Sequence, residues 1–259
     1  MAHVRVLMVR AAGTNCDQEA QYAWESVGAT VERMHIRRLL EEPLLLDACQ
    51  IVTLPGGFSY GDDLGAGRIL AAQIERGLSA RLGAFVERGG LVLGICNGFQ
   101  VLVKTGLLPF AHAAFRQVCT ITYNEPPGFQ DRWVWLTAGD TPCAFLEPGR
   151  TYELPIAHGE GRVAFANDTM LQQALAQQHV ALRYAESPSG RNPTGQPANP
   201  NGSTHDIAGL CDATGRVLGL MPHPERFVTW TQHPAWTSRP WREAGDGLAL
   251  FQRAIAHLS

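Results

Sequence analysis

Apolar residues fall along this chain in two rhythms. Val4 to Val9, Gln50 to Leu54 and Leu91 to Ile95 are short, nearly continuous apolar runs. Such runs predict strands buried on both faces, as parallel sheets require. Between them, Leu70, Ile74, Leu78, Leu82, Phe85 and Val86 recur at steps of three and four. That spacing predicts one helix, opening after the Asp62-Asp63 cap signal and stopped by Gly89-Gly90. Cys16 to Val27 predicts a weaker helix ending at Gly28, with Thr14 to Asp17 as its cap. The order strand, helix, strand, helix, strand, helix places the chain in the α/β class, with an open, mostly parallel central sheet flanked by helices.

The second half is richer in strand patterns. Val118 to Tyr123, Arg132 to Leu136, Thr151 to Ile156, Val180 to Tyr184, Asp206 to Cys211 and Val217 to Met221 all fit, with Gly, Asn and Asp in the turns between them. Residues 187–203, dense in Pro, Gly and Asn, read as a long surface loop and not as a linker, because strands resume directly after it. With no internal repeat or heptad pattern, residues 1–259 are expected to form a single domain, closed by an extended tail from about residue 227.

Composition narrows the function classes. A chain of 259 residues, 45% hydrophobic and 17% charged, has enough apolar content for one large core. A net charge of −3 without a basic block speaks against nucleic acid and polybasic membrane binding. No apolar stretch approaches the roughly 18 residues of a membrane span. Met1 to Arg10 lacks the parts of a signal peptide, so the cytoplasm is the expected compartment. The six cysteines are scattered, with no C-x-x-C pair and no metal-like grouping. Five of them, Cys96 excepted, read as small buried hydrophobes, and no metal site is expected.

Cys96 differs because of its neighbours. An apolar strand leads into Gly94-Ile95-Cys96-Asn97-Gly98, and a helical pattern follows through Phe99 to Lys104. This is a nucleophile elbow with Cys in place of Ser. A side chain two residues to either side would collide with the neighbouring backbone, hence glycine at both places. The turn puts Cys96 at a helix N-terminus, where free N–H groups and the helix dipole favour negative charge. The Asn97 N–H then points where an oxyanion would form.

A thiol nucleophile needs a base and something to orient it. Of nine histidines, His223 stands directly after an apolar strand, with Pro222 and Pro224 fixing the backbone on either side. Glu225, two residues on in an extended segment, faces the same way and can hold the imidazole tautomer. The turn Pro55-Gly56-Gly57, also after a strand, can bring backbone N–H groups close to a ligand because no Cβ intervenes. Loops at the carboxyl ends of an open α/β sheet form its ligand crevice, so the three motifs are expected to converge there.

Together these residues resemble the class I, triad-type glutamine amidotransferases. Within them the chain is most similar to the glutaminase subunits of phosphoribosylformylglycinamidine synthases. The resemblance runs through Gly13-Thr14-Asn15-Cys16-Asp17, Pro55 to Asp62, Gly94 to Gln100, Pro155 to Gly161, Asn199 to Ser203 with Asp206 to Gly209, and Met221 to Arg226. It implies Cys96 as nucleophile, His223 as general base, Glu225 as its orienter, and Gly57 and Asn97 as oxyanion donors. It also implies substrate-binding roles for Gln100, Phe58 and His158. His158 and Glu160 equally fit pocket or partner-interface residues, or the shaping of a turn. The implied flavodoxin-like fold would hydrolyse glutamine and pass ammonia to a large ATP-dependent synthetase subunit of the same enzyme, with a small third subunit left open. This chain would itself bind no cofactor, ATP and magnesium belonging to the partner. Its sequence carries no Walker loop or dinucleotide fingerprint of its own.

Three features depart from the family pattern. Phe110 to Gln117 lacks an expected Arg-Asn pair, Ser187 to Pro197 is long, and so is the tail after Arg226. That tail holds Trp230, Trp236 and Trp241, half of the six tryptophans, and fits either a docking surface or packing on the chain's own core. Competing readings are the amidotransferase subunit of another pathway, a thiol hydrolase or stress protein on a related elbow fold, and a non-catalytic regulatory subunit. An intact Cys, His and Glu speak against the last.

Overall fold

The computed structural model describes residues 3–110, 117–190 and 195–259. The first half alternates as its apolar runs predict. In chain order come strand β1 (Arg5–Arg10), helix α1 (Asp17–Glu25), β2 (Thr30–His35), α2 (Ile36–Glu41), β3 (Ile51–Leu54), α3 (Arg68–Gly77), α4 (Ser79–Glu87), β4 (Leu91–Ile95) and α5 (Asn97–Lys104). The second half adds β5 (Cys119–Tyr123), β6 (Gln130–Ala138), β7 (Thr151–His158), β8 (Glu160–Phe165), α6 (Asp168–Ala176), β9 (Val180–Ala185), β10 (Ile207–Cys211), β11 (Val217–Leu220) and α7 (Leu248–His257).

Nine of these strands form one sheet in the order β2-β1-β3-β4-β11-β10-β9-β6-β7, with β5 and β8 pairing apart from it. The half from β2 to β11 is parallel throughout, and the half from β11 to β7 is antiparallel. Only β10 and β6 therefore run against the other seven strands. That direction matters for the site. The carboxyl ends of β3, β4, β11 and β7 all leave the sheet at one edge. The inner strands β3, β4, β10 and β11 are buried at every residue, which is what near-continuous apolar runs in a covered sheet require. Edge strand β2 carries Glu32 and Arg33 instead and shows only Met34 fully buried, a composition that protects an edge from further pairing.

Several elements differ from what spacing predicts. The stripe from Leu70 to Val86 is carried by two helices, broken at Leu78 (φ −131°, ψ −9°). Leu78 stays buried through the break, so the apolar stripe continues although the axis does not. Gly77 sits against the Leu40 side chain, where a Cβ would collide. Asp62 caps neither helix; its carboxylate accepts from the Gly67 N–H at 3.2 Å, and α3 opens without a side-chain cap. Nor does Cys16 cap α1 through its side chain. Asp17 instead pairs with Arg10 at 3.1 Å and Arg33 at 3.3 Å. β2, α2, β8, α6 and α7 have no counterpart in the sequence reading.

The C-terminal tail packs in part on the chain's own core. Trp230 is buried, and Phe227 meets Trp133 of β6 edge to face at 5.0 Å. Helix α7 places Phe251 against Trp24 of α1 at 4.8 Å. Trp241, by contrast, is 70% exposed. In the 187–203 loop, Asn201 donates to the Gly161 carbonyl at 2.8 Å and so ties the loop's end to β8. Residues 191–194 of that loop, and most of the 110–117 segment that lacks the Arg-Asn pair, lie outside the described residues.

Helix α5 lies close on the sheet because β11 carries a glycine under it. A Cβ at Gly219 would run into the Phe99 ring. Gly219→Ala should therefore destabilise the chain by about 1–3 kcal/mol through overpacking. The measurement is the urea midpoint at constant m-value; an unchanged midpoint would mean that α5 does not need this close approach.

Candidate active site

The elbow after β4 is as tight as its glycines demand. Cys96 has φ 50° and ψ −104°, a positive-φ backbone costing on the order of 1–3 kcal/mol for a residue with a side chain. Its N–H is anchored to the Leu220 carbonyl of β11 at 2.8 Å. A Cβ at Gly98 would meet the Leu54 carbonyl, and one at Gly94 would lie 2.7 Å from the Gly98 carbonyl. The Cys96 sulfur comes no nearer than 3.9 Å to the Ala157 carbonyl of β7, so it is left without a strong hydrogen bond.

His223 follows β11, and its N–H bonds to the Pro155 carbonyl of β7 at 2.9 Å. Its Nδ1 and the Glu225 Oε1 are 2.6 Å apart, and both side chains are buried. The i, i+2 spacing thus does bring the carboxylate onto the ring. Burial alone disfavours the imidazolium. The Glu225 carboxylate first, then the Cys96 and Cys16 sulfurs, outweigh it and hold the ring's pKa well above the ordinary histidine value. Nε2 has no hydrogen-bond partner of its own, which leaves it available to the neighbouring sulfur and to a ligand.

Cys96, His223, Gly57, Phe58, Gln100 and His158 all line one cavity of about 500 Å³. Glu225 and the Asn97 side chain do not reach it. Glu225 stands behind His223. The Asn97 side chain instead bonds the elbow to its surroundings, accepting from the Ser59 N–H at 3.2 Å and donating to Asp62 at 3.2 Å and to Gln100 at 3.0 Å. Gly57 (φ 135°) bridges to Thr14 in the chain ahead of α1; a Cβ there would lie 2.7 Å from the Asn15 nitrogen. Gln100 donates to the Glu160 carbonyl at 2.6 Å, so its amide is committed at both ends and bridges α5 to the β7–β8 turn. His158 is buried against Asn124 Oδ1 at 3.2 Å. Burial, then the charge of His223, pull its pKa down to about 4, so it is a neutral wall at ordinary pH. Phe58 is half exposed at the cavity mouth.

Cys16, which reads in the sequence as a small buried hydrophobe, also lines the cavity. Its sulfur donates to Asn15 Oδ1 at 3.2 Å and accepts from Arg226 at 3.2 Å. Arg226 in turn reaches Glu19 at 2.9 Å. Burial raises the Cys16 pKa above the ordinary thiol value, while His223 and Arg226 pull the other way. The available signal was Cys16 and Asp17 within a glycine-led turn, which helix capping explains equally well.

The family model for the CobB/CobQ-like glutamine amidotransferase domain matches residues 3–258. The chain belongs to that family. This glutamine amidotransferase is 43% identical over 256 residues to the phosphoribosylformylglycinamidine synthase subunit PurQ of Dehalococcoides mccartyi, covering 98% of each chain. It is 45% identical over 217 residues to the protein of the same name from Parasynechococcus marenigrum, covering 83% of this chain and 87% of that one. Among solved structures it is similar to PurLQS from Thermotoga maritima, with a TM-score of 0.72, 32% identity, and 99% and 100% of the two chains covered.

Two thiols therefore share the cavity of this amidotransferase, and their surroundings rank them. The Cys16 sulfur is engaged on two sides and its proton is held by burial. Limited iodoacetamide treatment should label Cys96 ahead of Cys16, and His223→Ala should slow that labelling by about tenfold or more, because the base that accepts the thiol proton is gone. Peptide mass spectrometry over a time course reads both. Label arriving first at Cys16 would reverse the assignment of nucleophile.

Proposed function

We propose that this chain is the glutaminase subunit of a phosphoribosylformylglycinamidine synthase, with Cys96, His223 and Glu225 as its catalytic residues. The observation that carries the reading is the buried His223–Glu225 pair beside an elbow cysteine, in a chain that aligns end to end with a subunit of that synthase. The Cys96 thiol gives its proton to His223 Nε2, and the sulfur attacks Cδ of the glutamine side chain. Charge collecting on the amide oxygen is met by backbone N–H groups of Gly57 and Asn97. His223 then protonates the departing nitrogen, the C–N bond breaks, and ammonia leaves a γ-glutamyl thioester on Cys96. Water, deprotonated by His223, attacks the thioester carbon and releases glutamate and the Cys96 thiol. Glu225 holds the Nδ1–H throughout, which keeps Nε2 as the working nitrogen.

Phe58, Gln100 and His158 shape the glutamine pocket, Gln100 by fixing the β7–β8 turn against the elbow. The ammonia passes to a large synthetase subunit that uses ATP and magnesium to convert formylglycinamide ribonucleotide to the amidine, and a small third subunit belongs to the same assembly. The chain itself needs no cofactor for the hydrolysis. No helix among the described residues is long and apolar enough to cross a membrane, and we place the reaction in the cytoplasm.

The test is Cys96→Ala in the assembled complex. Glutamine-dependent amidine synthesis should fall by about a thousandfold or more, while synthesis from added ammonium salt continues at the wild-type rate. Loss of both activities would mean that Cys96 supports the assembly and not the release of ammonia. A second variant, Glu225→Gln, should lower kcat for glutamine by about 10²–10⁴-fold, as loss of the tautomer-holding carboxylate does in a triad. The check is steady-state glutamate production.

A further inference from the structure

The chemistry above leaves Cys16 without a task, although it stands on the same histidine–glutamate pair. The Cys16 sulfur, a ring nitrogen of His223 and a carboxylate oxygen of Glu225 all lie within 4.8 Å of one another. The three residues are 2%, 2% and 0% exposed. One carboxylate oxygen, Oε1, is engaged by Nδ1 at 2.6 Å, while Glu225 Oε2 is buried with no hydrogen-bond partner. Thiolate sulfur, imidazole nitrogen and carboxylate oxygen are a donor set that Zn²⁺ takes in tetrahedral sites, with ligand atoms roughly 3.3–3.8 Å apart. Side-chain rotations of about an ångström would widen the Nδ1–Oε1 pair from 2.6 Å and draw the sulfur in from within 4.8 Å to reach that range.

Burial holds the Cys16 proton, so a metal has to displace it. Arg226, donating to the sulfur at 3.2 Å, offsets part of that cost, and its own charge is met by Glu19 at 2.9 Å. His158, the other ring on the cavity wall, has its pKa near 4 and adds no opposing charge. The cavity of about 500 Å³ that both Cys16 and His223 line gives an ion from solvent a way in.

We propose that Cys16, His223 and Glu225 bind a single thiophilic divalent cation of the Zn²⁺ class, and that its arrival switches the triad off. On binding, the Cys16 thiol loses its proton to solvent and its sulfur bonds the metal. The ring's proton passes by way of solvent from Nδ1 to Nε2, the Nδ1 lone pair so freed bonds the metal in place of the Nδ1–H bond to Glu225, and a carboxylate oxygen of Glu225 becomes the third ligand. The neutral ring then carries its one proton on Nε2. No lone pair remains there to accept the Cys96 proton, so nucleophile activation stops. Three protein ligands leave the fourth tetrahedral position facing the cavity. Cys96 is not one of the three, which distinguishes this site from simple metal capture by the nucleophile and its base.

The inhibitory consequence rests on the glutaminase reading; the binding does not, and the two are measured separately. For binding, the full chain carrying Cys96→Ala is titrated with Co²⁺, whose bond to a thiolate gives a charge-transfer band in the near ultraviolet. One equivalent should bind with that band. Adding Cys16→Ala should abolish it, and adding Glu225→Gln instead should weaken binding by about tenfold or more. A band that survives Cys16→Ala, or no band at all, overturns the proposal. Should the Cys16→Ala chain fail to fold, as circular dichroism would show, the Glu225→Gln titration decides, and unchanged affinity there overturns it. For inhibition, low micromolar Zn²⁺ should stop glutamine-dependent synthesis by the wild-type complex, spare ammonia-dependent synthesis, and be reversed by a chelator. A chain that binds Co²⁺ through Cys16 yet hydrolyses no glutamine keeps the metal site and loses the glutaminase reading. A complex that hydrolyses glutamine normally while this chain binds no Co²⁺ does the reverse.

Discussion

The positive-φ backbone at Cys96 is the constraint around which the site is assembled. A cysteine at φ 50° and ψ −104° is held out of its preferred wells, and such a conformation persists only when the surroundings over-determine it. Here they do so from three sides. β11 takes the Cys96 N–H. Gly94 and Gly98 let the turn close onto itself and onto the Leu54 carbonyl of β3. Behind the turn, Phe99 seats α5 on the sheet over Gly219. The outcome is a sulfur projected past the sheet edge with its backbone fixed, at the place where seven co-directional strands open their carboxyl ends.

Fixing one loop would be of little use if the others drifted. The loops are stitched to one another by polar contacts that cross large sequence distances. Asn97 joins the elbow to Ser59 and Asp62 of the glycine loop and to Gln100, and Gln100 continues the chain of bonds to Glu160 after β7. The His223 N–H holds β7 at Pro155, and the Cys16 N–H holds Gly56 at 3.3 Å. Buried polar groups linked in this way stabilise one arrangement only when each is satisfied. Among the described residues the buried side-chain atoms without hydrogen-bond partners include His223 Nε2 and the second oxygen of Glu225, at the base itself, and also Ser59 Oγ and His158 Nε2 beside it.

How much of this was legible in the sequence follows from the range of each interaction. The elbow could be read because its steric demands fall on residues two places away, and the His223–Glu225 pair because i, i+2 in an extended segment is a local relation. The covered strands β3, β4 and β11 could be read from their unbroken apolar runs. What escaped depends on contacts between distant segments. Nothing near Cys16 announces that Arg226, 210 residues later, will lie against its sulfur. Nothing in the spacing of Leu70 to Val86 shows the break at Leu78, since the buried stripe is the same for one helix or two. Gln100 was implied as a substrate residue by the family resemblance, and nothing in its local spacing shows that its amide also ties Asn97 to Glu160 across the cavity wall. The tail was legible as tryptophan-rich but not as helical, because α7 adds its apolar stripe only after a stretch of irregular turns.

The placement of two cysteines around one histidine sharpens what makes a nucleophile. Both precede a helix, both adjoin the His223 ring, and both line the cavity, so neither helix dipole nor proximity to the base separates them. The difference lies in commitment. Cys16 donates to Asn15 and accepts from Arg226, and moving its sulfur toward a substrate carbon would break both contacts. Cys96 has a long contact to a carbonyl and the His223 ring, the base its own attack uses, so its attack forfeits little ground-state stabilisation, the condition under which binding energy lowers the barrier instead of deepening the well. The same commitment that disqualifies Cys16 from attack, a sulfur held in place beside a guanidinium that favours its thiolate, qualifies it as a ligand. One histidine edge can then serve acyl transfer through Cys96 or metal capture through Cys16, but not both at once, because both need the electrons of a single imidazole.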